Sequence, residues 1–250
     1  MRKTTAYVTA ILSLALGGGS LLGFMVFLYA GPLNLIDLGL EGHQILLFDA
    51  GISLLFFAQH SIMIRQSFRR LAERFIPEAY GSAVYSISSG AALAAVIVLW
   101  QGSETVIASA EGPFRIVLRV AFFLSLMGFF WVFRTMKHID AFGVARIKSG
   151  LKKRHPREMP FVVAGAYRIV RHPLYFLNLT AIWAYPDMTA DRLVFNVLWT
   201  IWIAVGTLLE EKDLVREFGN EYLDYQRDVP MLIPSFSSLR AHSNTMEVQS

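Results

Sequence analysis

The sequence predicts an all-α protein that crosses a membrane several times, and three observations support this prediction. Of the 250 residues, 54% are hydrophobic and 17% are charged, whereas about 25% of an ordinary soluble domain is charged. The apolar residues are gathered in uncharged runs near the length of about 20 residues that a helix needs to cross a bilayer. Lysines and arginines lie between these runs. We expect four amino-terminal transmembrane helices and a carboxyl-terminal helical hairpin, about five to six membrane segments.

The first predicted helix is the uncharged run from Ala6 to Gly31, which has 26 residues. It is longer than the apolar region of a signal peptide, about 7 to 15 residues, so we interpret it as a transmembrane helix. The run contains "GGGS", from Gly17 to Ser20. No strand precedes these glycines, so they do not indicate a phosphate loop. Small residues within a span favour close packing of helices.

The next three spans are predicted at residues 43–64, 82–102 and 114–133, each of sufficient length to cross the hydrocarbon. Residues 173–209 are apolar at both ends but are interrupted by "YPDMTADR", which contains turn and N-cap residues. This pattern predicts a hairpin with a short arm of about 12 residues and a longer arm from Leu193 to Leu209.

These elements divide the chain into three parts. We expect the four transmembrane helices in residues 1–134 and a flexible, Ser-rich tail in residues 235–250. Between them, residues 135–234 hold a basic loop, the membrane hairpin and a carboxyl-terminal helix, which together form the expected catalytic region.

The distribution of charge predicts the orientation of the chain in the membrane. Residues 65–74 carry four arginines and residues 134–171 carry ten lysines or arginines, whereas residues 32–42 and 103–113 carry only acidic charges. The positive-inside rule then places both basic segments and both termini in the cytoplasm. A sequence pI near 9.4 would suit nucleic acid only if the basic residues lined a soluble face. Because they lie between apolar runs, we expect a lipid bilayer and no nucleic acid as a partner.

The ends of the predicted hairpin carry the densest group of reactive side chains. "GAYRIVRHPLY" enters the hairpin and "LLEEKDL" leaves it, so Arg171 and His172 are expected to meet Glu210 and Glu211 at one membrane surface. Pro173 suits the first turn of a helix and holds His172 outside that helix in an extended conformation. We expect the two glutamates at a helix end, where the helix dipole disfavours carboxylates, so they need a cationic partner.

Tyrosines accompany these charges, since Tyr167 and Tyr175 interleave the basic residues and Tyr222 and Tyr225 follow three residues apart. In the simplest interpretation the arginines and glutamates pair at the headgroup level. The same residues can also bind a ligand that is zwitterionic, cationic and aromatic, such as S-adenosylmethionine. The residues available for such a site are Tyr167, Arg168, His172, Tyr175, Glu210, Glu211 and Tyr222; that S-adenosylmethionine is the cofactor bound there is implied only by the resemblance given next.

The sequence Arg171-His172-Pro173-x-Tyr175, followed later by paired glutamates, resembles the integral-membrane methyltransferases that include isoprenylcysteine carboxyl methyltransferase and bacterial phospholipid methyltransferases. Leu177 stands where that family has glycine. The stretches "FFAQHSIMIRQSFRRL", "HIDAFGVARI", "IWAYPDMT" and "EEKDLVREFGNEYLDYQRDVPMLIP" are similar to bacterial methanethiol S-methyltransferases and their NnrU-like relatives. This resemblance covers nearly the whole chain. It implies an S-adenosylmethionine-dependent enzyme of the bacterial inner membrane that methylates methanethiol to dimethyl sulfide.

The resemblance also implies that Gln59 and His60 contact the substrate. Without it, a lone histidine near the end of a span indicates a hydrogen-bonded packing residue. A thiol reacts as the thiolate, so a base or a positive field is required. We therefore expect His60 or His172 to take the proton, and Arg171 or Arg168 to hold the cofactor carboxylate or stabilise the thiolate. The candidate catalytic residues are His60, Arg171 and His172.

Other interpretations stay open. The same site could methylate a prenylcysteine carboxyl or a lipid amine, or the chain could be a non-enzymatic NnrU-like membrane factor. A transporter is disfavoured because no internal repeat is visible. Cysteine is absent, and no His-x-x-x-His motif or acidic cluster surrounds His60 or His172, so we expect no metal site. We expect the protein to act as a monomer on a small-molecule thiol.

Overall fold

The computed structural model describes residues 3–135, 140–152 and 161–234, which form two units. Residues 3–109, 140–152 and 187–199 belong to the first unit, and residues 110–135, 161–186 and 200–234 belong to the second. The predicted tail lies outside the described residues. Within these ranges, five helices are long and apolar enough to cross a membrane: Lys3–Ala30, His43–Ile64, Glu78–Leu99, Gly112–Thr135 and Ala190–Phe218. The prediction of an all-α, multi-pass membrane protein is confirmed.

The first span contains a π-helical turn, Ser13–Gly18, between α1 (Lys3–Leu12) and α2 (Gly19–Ala30). Gly17 lies in this turn, and a Cβ atom at this position would collide with the side chains of Ser86 and Phe142. On α5 (Glu78–Leu99), a Cβ atom at Gly90 would lie 2.5 Å from the carbonyl oxygen of Leu16. The two helices therefore meet at backbone contact, and the packing role predicted for the glycine-rich segment is confirmed at Gly17.

The remaining helices that lie wholly within the first unit are α3 (His43–Ile64), α4 (Gln66–Ala72), α5 and α7 (Val144–Leu151). The prediction for α3 is confirmed at both ends. The span predicted at 82–102 is observed as α5 at Glu78–Leu99. The helix begins earlier than predicted, directly after Pro77, because the polar residues of its first turn are helical but have little hydropathy. Trp100 ends α5 with φ −58° and ψ 131°.

An aromatic core fills the first unit. The Trp199 ring stacks on Phe195 and Phe24, with ring centroids 4.8 and 4.9 Å apart, and Trp100 meets Phe195 edge-on at 5.3 Å. The first unit also contains two short antiparallel strands, β1 (Val106–Ser109) and β2 (Asp187–Thr189). The sequence prediction contained no strand, because the pairing joins segments that are far apart in the chain.

In the second unit, α6 (Gly112–Thr135) packs against α8 (Pro173–Trp183), the short arm of the predicted hairpin. Leu177, at the position where the sequence resemblance leads us to expect glycine, packs on Gly128 of α6. A Cβ atom at Gly128 would lie 2.5 Å from the Leu177 side chain. The larger residue on α8 is thus accommodated by the absence of a side chain on α6.

The longer arm, α9 (Ala190–Phe218), extends nine residues beyond its predicted end at Leu209. It stops before Gly219, whose φ of 59° favours glycine, and α10 (Asn220–Asp228) follows. The prediction that Glu210 and Glu211 lie at a helix end is wrong. Polar residues lower the hydropathy after Leu209, but they continue the helix because glutamate, lysine, leucine and arginine are good helix formers.

Candidate active site

The backbone before α8 is held by the carboxyl-terminal segment. Pro173 is the first residue of α8, as predicted, and His172 lies outside the helix with φ −124° and ψ 66°. The backbone N–H groups of Arg171 and His172 donate to the carbonyls of Pro230 and Met231 at 2.9 and 3.1 Å. These two hydrogen bonds fix the direction in which the arginine and the histidine leave the backbone.

Arg171 forms a bidentate ion pair with Glu211 of α9. Its Nε and Nη2 atoms donate to the two carboxylate oxygens at 3.0 and 2.9 Å. Its Nη1 atom donates to the carbonyls of Gln226 and Val229 at 2.9 and 2.6 Å. Four of the five N–H groups of the guanidinium are therefore used within the chain. Arg171 joins α9 to the end of α10 and has little capacity left for a ligand.

Glu211 is the centre of this buried network, and only 7% of the residue is exposed. Besides Arg171, its carboxylate accepts hydrogen bonds from His172 Nε2 at 2.6 Å, Tyr222 Oη at 2.7 Å and Gln226 Nε2 at 2.5 Å. The roughly four lone-pair sites of a carboxylate are thus filled. Burial and the hydrogen bond to Glu211 raise the pKa of Tyr222 above its usual range, so the phenol remains a donor.

Glu210, the neighbouring residue, has a different environment. Its side chain is 44% exposed, and its carboxylate accepts a hydrogen bond from Tyr175 Oη at 2.6 Å. His172 Nδ1 lies 3.8 Å from the same oxygen. The rings of His172 and Tyr175 are stacked, with centroids 5.5 Å apart. One carboxylate of the pair is saturated by the protein, and the other retains capacity for a ligand.

Tyr167 and Arg168 lie on the short 3-10 turn before α8, Gly165–Arg168. The Tyr225 phenol donates to the carbonyl of Tyr167 at 2.5 Å. Burial, with a contribution from the charge of Glu210, raises the pKa of Tyr167 to about 12. Arg168 is exposed, and its Nε atom lies 3.5 Å from the Val163 carbonyl, at the limit of a hydrogen bond.

The structure therefore brings together most of the residues predicted to bind the cofactor. Arg171, His172, Tyr175, Glu210, Glu211 and Tyr222 form one connected network. Arg168 makes none of these contacts among the residues that the structure describes.

The sequence analysis missed three polar residues near this network, which are Lys212, Arg216 and Gln226. A pocket of about 300 Å³ is lined by Glu211, Lys212, Val215, Arg216 and Gln226. The four residues from α9 lie at spacings of one, four and five, which places them on one side of a helix. This spacing is visible in the sequence, but the predicted helix ends at Leu209 and so excludes these residues.

Gln59 and His60 belong to the first unit. The Oη atom of Tyr85 lies 2.8 Å from His60 Nε2, and the His60 ring contacts Phe56 with centroids 5.5 Å apart. Gln59 Nε2 donates to Ser89 Oγ at 3.3 Å. Both residues are thus hydrogen-bonded within the first unit, and their assignment to substrate binding stays a prediction. In the described ranges, no group of three or more His, Asp or Glu side chains could hold a metal ion.

Sequence comparison identifies relatives over most of the chain. It is 42% identical over 193 residues to a methanethiol S-methyltransferase of Pseudomonas sp. (strain GM41(2012)), covering 75% of this chain and 73% of the relative. It is 33% identical over 180 residues to the methanethiol S-methyltransferase of Mycobacterium tuberculosis, covering 72% and 74%. Nurim of Sus scrofa is 25% identical over 183 residues, or 68% of each chain. No family model and no solved structure matches the chain. Because the two methanethiol S-methyltransferases are 42% and 33% identical to this chain over more than two thirds of both sequences, the chain belongs to the methanethiol S-methyltransferase family of membrane methyltransferases.

Proposed function

We propose that this membrane methyltransferase transfers the methyl group of S-adenosylmethionine to the sulfur of a small thiol. Methanethiol is the first candidate acceptor, because it appears in the names of relatives that are 42% and 33% identical to this chain. The observation that supports a cofactor site is the contrast between the two adjacent glutamates. Glu211 is buried and its carboxylate is saturated, whereas the side chain of Glu210 is 44% exposed and bonds to Tyr175, whose ring stacks on His172.

The exposed side of the network fits the chemistry of this cofactor. The Glu210 carboxylate can accept hydrogen bonds from ribose hydroxyl groups. The half-buried ring of Tyr175, backed by the buried ring of His172, offers a π face to an adenine or a sulfonium. Lys212 and Arg216 line the neighbouring pocket of about 300 Å³ and can pair with the carboxylate of the methionine moiety. This volume is at the lower end of the range for small-molecule sites.

The geometry favours positioning roles for Arg171 and His172. Arg171 donates four hydrogen bonds, two to Glu211 and two to backbone carbonyls. His172 Nε2 is engaged by Glu211, so its ring is held in one orientation against Tyr175. In this proposal both residues hold the shape of the site, and Glu210 makes the direct contact with the ligand.

The protein has two tasks in the reaction. The cofactor, when bound, supplies an electrophilic methyl group that moves to the acceptor sulfur as its bond to the sulfonium breaks. The chain must remove the thiol proton, because the thiolate is the nucleophile. It must also align the acceptor sulfur with the methyl group and exclude water from the site. In this proposal His60 is the base that accepts the thiol proton; its Nε2 atom lies 2.8 Å from Tyr85 Oη. Gln59, one residue earlier, is the proposed contact of the acceptor.

We also propose that the network faces the cytoplasm of a bacterial inner membrane. The lysines and arginines of residues 65–74 and 134–171 support this orientation. The charged cofactor then reaches the site from water. A volatile, apolar thiol can arrive through the lipid.

The first experiment measures S-adenosylhomocysteine production by the purified protein with methanethiol, a longer alkyl thiol, hydrogen sulfide and a farnesylated cysteine analogue in parallel. We expect turnover with the small thiols. Turnover with the farnesylated analogue alone would contradict the proposed acceptor class and favour the carboxyl methyltransferase activity.

A second experiment tests the cofactor site without requiring turnover. Glu210→Gln removes a charged acceptor, and hydrogen bonds to charged groups contribute about 1.5 to 3 kcal/mol, or about 10- to 150-fold in affinity. Glu217→Gln is the matched control, because Glu217 is an exposed residue two turns later on α9. Calorimetric titration with S-adenosylhomocysteine should show weaker binding only for Glu210→Gln. Equal affinities for the two variants would contradict the proposed role of Glu210.

A further inference from the structure

A short basic segment joins two membrane-spanning helices of the first unit. The helix α3 ends at Ile64 and α5 begins at Glu78, and both are candidate spans. The connection, residues 65–77, must therefore begin and end at the same membrane surface. It contains α4 and four arginines, and its one acidic residue is Glu73.

The helix α4 has little to stabilise it within the described chain. It has seven residues, none is buried, and no side chain caps its amino end. Isolated helices shorter than about 12 to 15 residues are marginal in water. Phe68 and Ala72 are only half-buried, at the wall of a pocket of about 350 Å³. The helix therefore requires another surface.

The two sides of this segment differ in the way expected of an interfacial helix. Leu71 and Phe75 are four residues apart and are 52% and 82% exposed. Backbone hydrogen bonds from Phe75 and Ile76 to the carbonyl of Ala72 extend the helical spacing past the end of α4. Arg70 and Arg74 are also four residues apart and exposed. Large apolar residues beside exposed arginines are characteristic of helices that lie in the headgroup region of a bilayer.

We propose that α4 and the turn after it bind anionic phospholipids of the cytoplasmic leaflet. Leu71 and Phe75 insert at the boundary between headgroups and acyl chains, and the exposed Arg69, Arg70 and Arg74 pair with the headgroup phosphates. The chemistry of the partner follows from charge complementarity, because four arginines oppose one glutamate within ten residues. This interaction does not depend on the proposed methyl transfer.

The absence of native cysteine allows a direct test with single-cysteine variants. Phe75→Cys carries an environment-sensitive fluorophore, and Gln66→Cys, at an exposed polar residue of the same helix, is the matched control. Both proteins are placed in nanodiscs of phosphatidylcholine alone or with phosphatidylglycerol, and quenching by lipids with brominated acyl chains is measured. We expect at least about twofold stronger quenching at position 75, increased by phosphatidylglycerol and reduced by high salt.

The combined substitution Arg69→Gln, Arg70→Gln and Arg74→Gln tests the charged part of the interaction. It should abolish the effect of phosphatidylglycerol on quenching at position 75. Equal quenching at positions 66 and 75 in both nanodiscs would overturn the proposal. If quenching at position 75 is strong but is unchanged by phosphatidylglycerol and by the triple substitution, the assignment to anionic lipid is overturned. Thermal unfolding of each labelled protein verifies that it is folded.

Discussion

The substitution Glu211→Gln tests the claim that the buried carboxylate holds the second unit together. The glutamine preserves the shape of the side chain but removes its charge and replaces one acceptor oxygen with an NH₂ donor. Arg171, His172, Tyr222 and Gln226 all approach this carboxylate at 3.0 Å or less. The variant therefore leaves a buried guanidinium without its counter-charge and sets donors against donors.

The size of the effect follows from this environment. The side chains of Arg171 and Glu211 are 10% and 8% exposed, so solvent screens their charges little. Removing one partner of a buried ion pair costs about 3 to 5 kcal/mol. For a chain of this size, each kcal/mol shifts the melting temperature by about 2 to 4 °C. We expect the melting temperature of Glu211→Gln to fall by about 6 to 20 °C.

The assay is thermal unfolding in detergent followed by the intrinsic fluorescence of the five tryptophans. Glu210→Gln is the matched control, because it makes the same chemical change one residue away on a side chain that is 44% exposed with one hydroxyl donor. It should cost about 1 kcal/mol or less. If the two variants melt at the same temperature, the assignment of a structural role to Glu211 and a ligand-binding role to Glu210 is refuted.

Three further predictions concern other parts of the chain. Gly90→Ala should destabilise the protein by about 1 to 3 kcal/mol, because its Cβ atom meets the backbone of the first span; Gly51→Ala, where a Cβ atom has open space, should be neutral or stabilising in the same melting assay. The pKa of Tyr222 is raised in the folded state, so its contribution to stability is complete below about pH 10. This contribution is lost as the pH rises toward the folded pKa, by at most about 1.4 kcal/mol per pH unit. Between pH 9 and 12, the melting temperature of Tyr222→Phe should therefore fall less steeply with pH than that of the wild type. His60→Ala should lower kcat more than it weakens S-adenosylhomocysteine binding, measured by turnover and by calorimetry.

Each of these predictions has a result that would contradict it. Equal melting temperatures for Gly90→Ala and Gly51→Ala would show that the close approach of α5 to the π-helical turn is not energetically important. The same alkaline slope in wild type and Tyr222→Phe would mean that Tyr222 does not titrate differently in the folded and unfolded states. Full activity of His60→Ala would remove this histidine from the mechanism.

The membrane spans could be predicted because hydropathy is a local property of the chain. The prediction for α3 was confirmed at both ends, and the first span, α5 and α6 were found within a few residues of their predicted bounds. The end of α9 was predicted incorrectly, because hydropathy reports where a helix leaves the lipid and does not report where the helix stops. Gly219, with its positive φ, marks the true end.

The meeting of the two hairpin ends could also be predicted. Once residues 173–209 are interpreted as two antiparallel helices, Arg171 must lie near the glutamates, and the structure places it in a bidentate pair with Glu211. The contribution of the carboxyl-terminal segment could not be predicted. The carbonyls of Val229, Pro230 and Met231 that bind this region carry no sequence signal, because every residue has a backbone carbonyl.

By itself, then, the sequence determined the class of the protein, the approximate bounds of its long apolar helices and most of the residues that meet at the two ends of the hairpin. Only the tertiary structure decided which of the two adjacent glutamates is structural. Successive residues of an α-helix differ in direction by about 100°, so identical neighbours face different surroundings. The packing of α10 and the carboxyl-terminal segment encloses Glu211 among five donors. Glu210 points in a different direction and keeps 44% of its side chain exposed. No local pattern in the sequence predicts this difference, because it depends on where that distant segment packs.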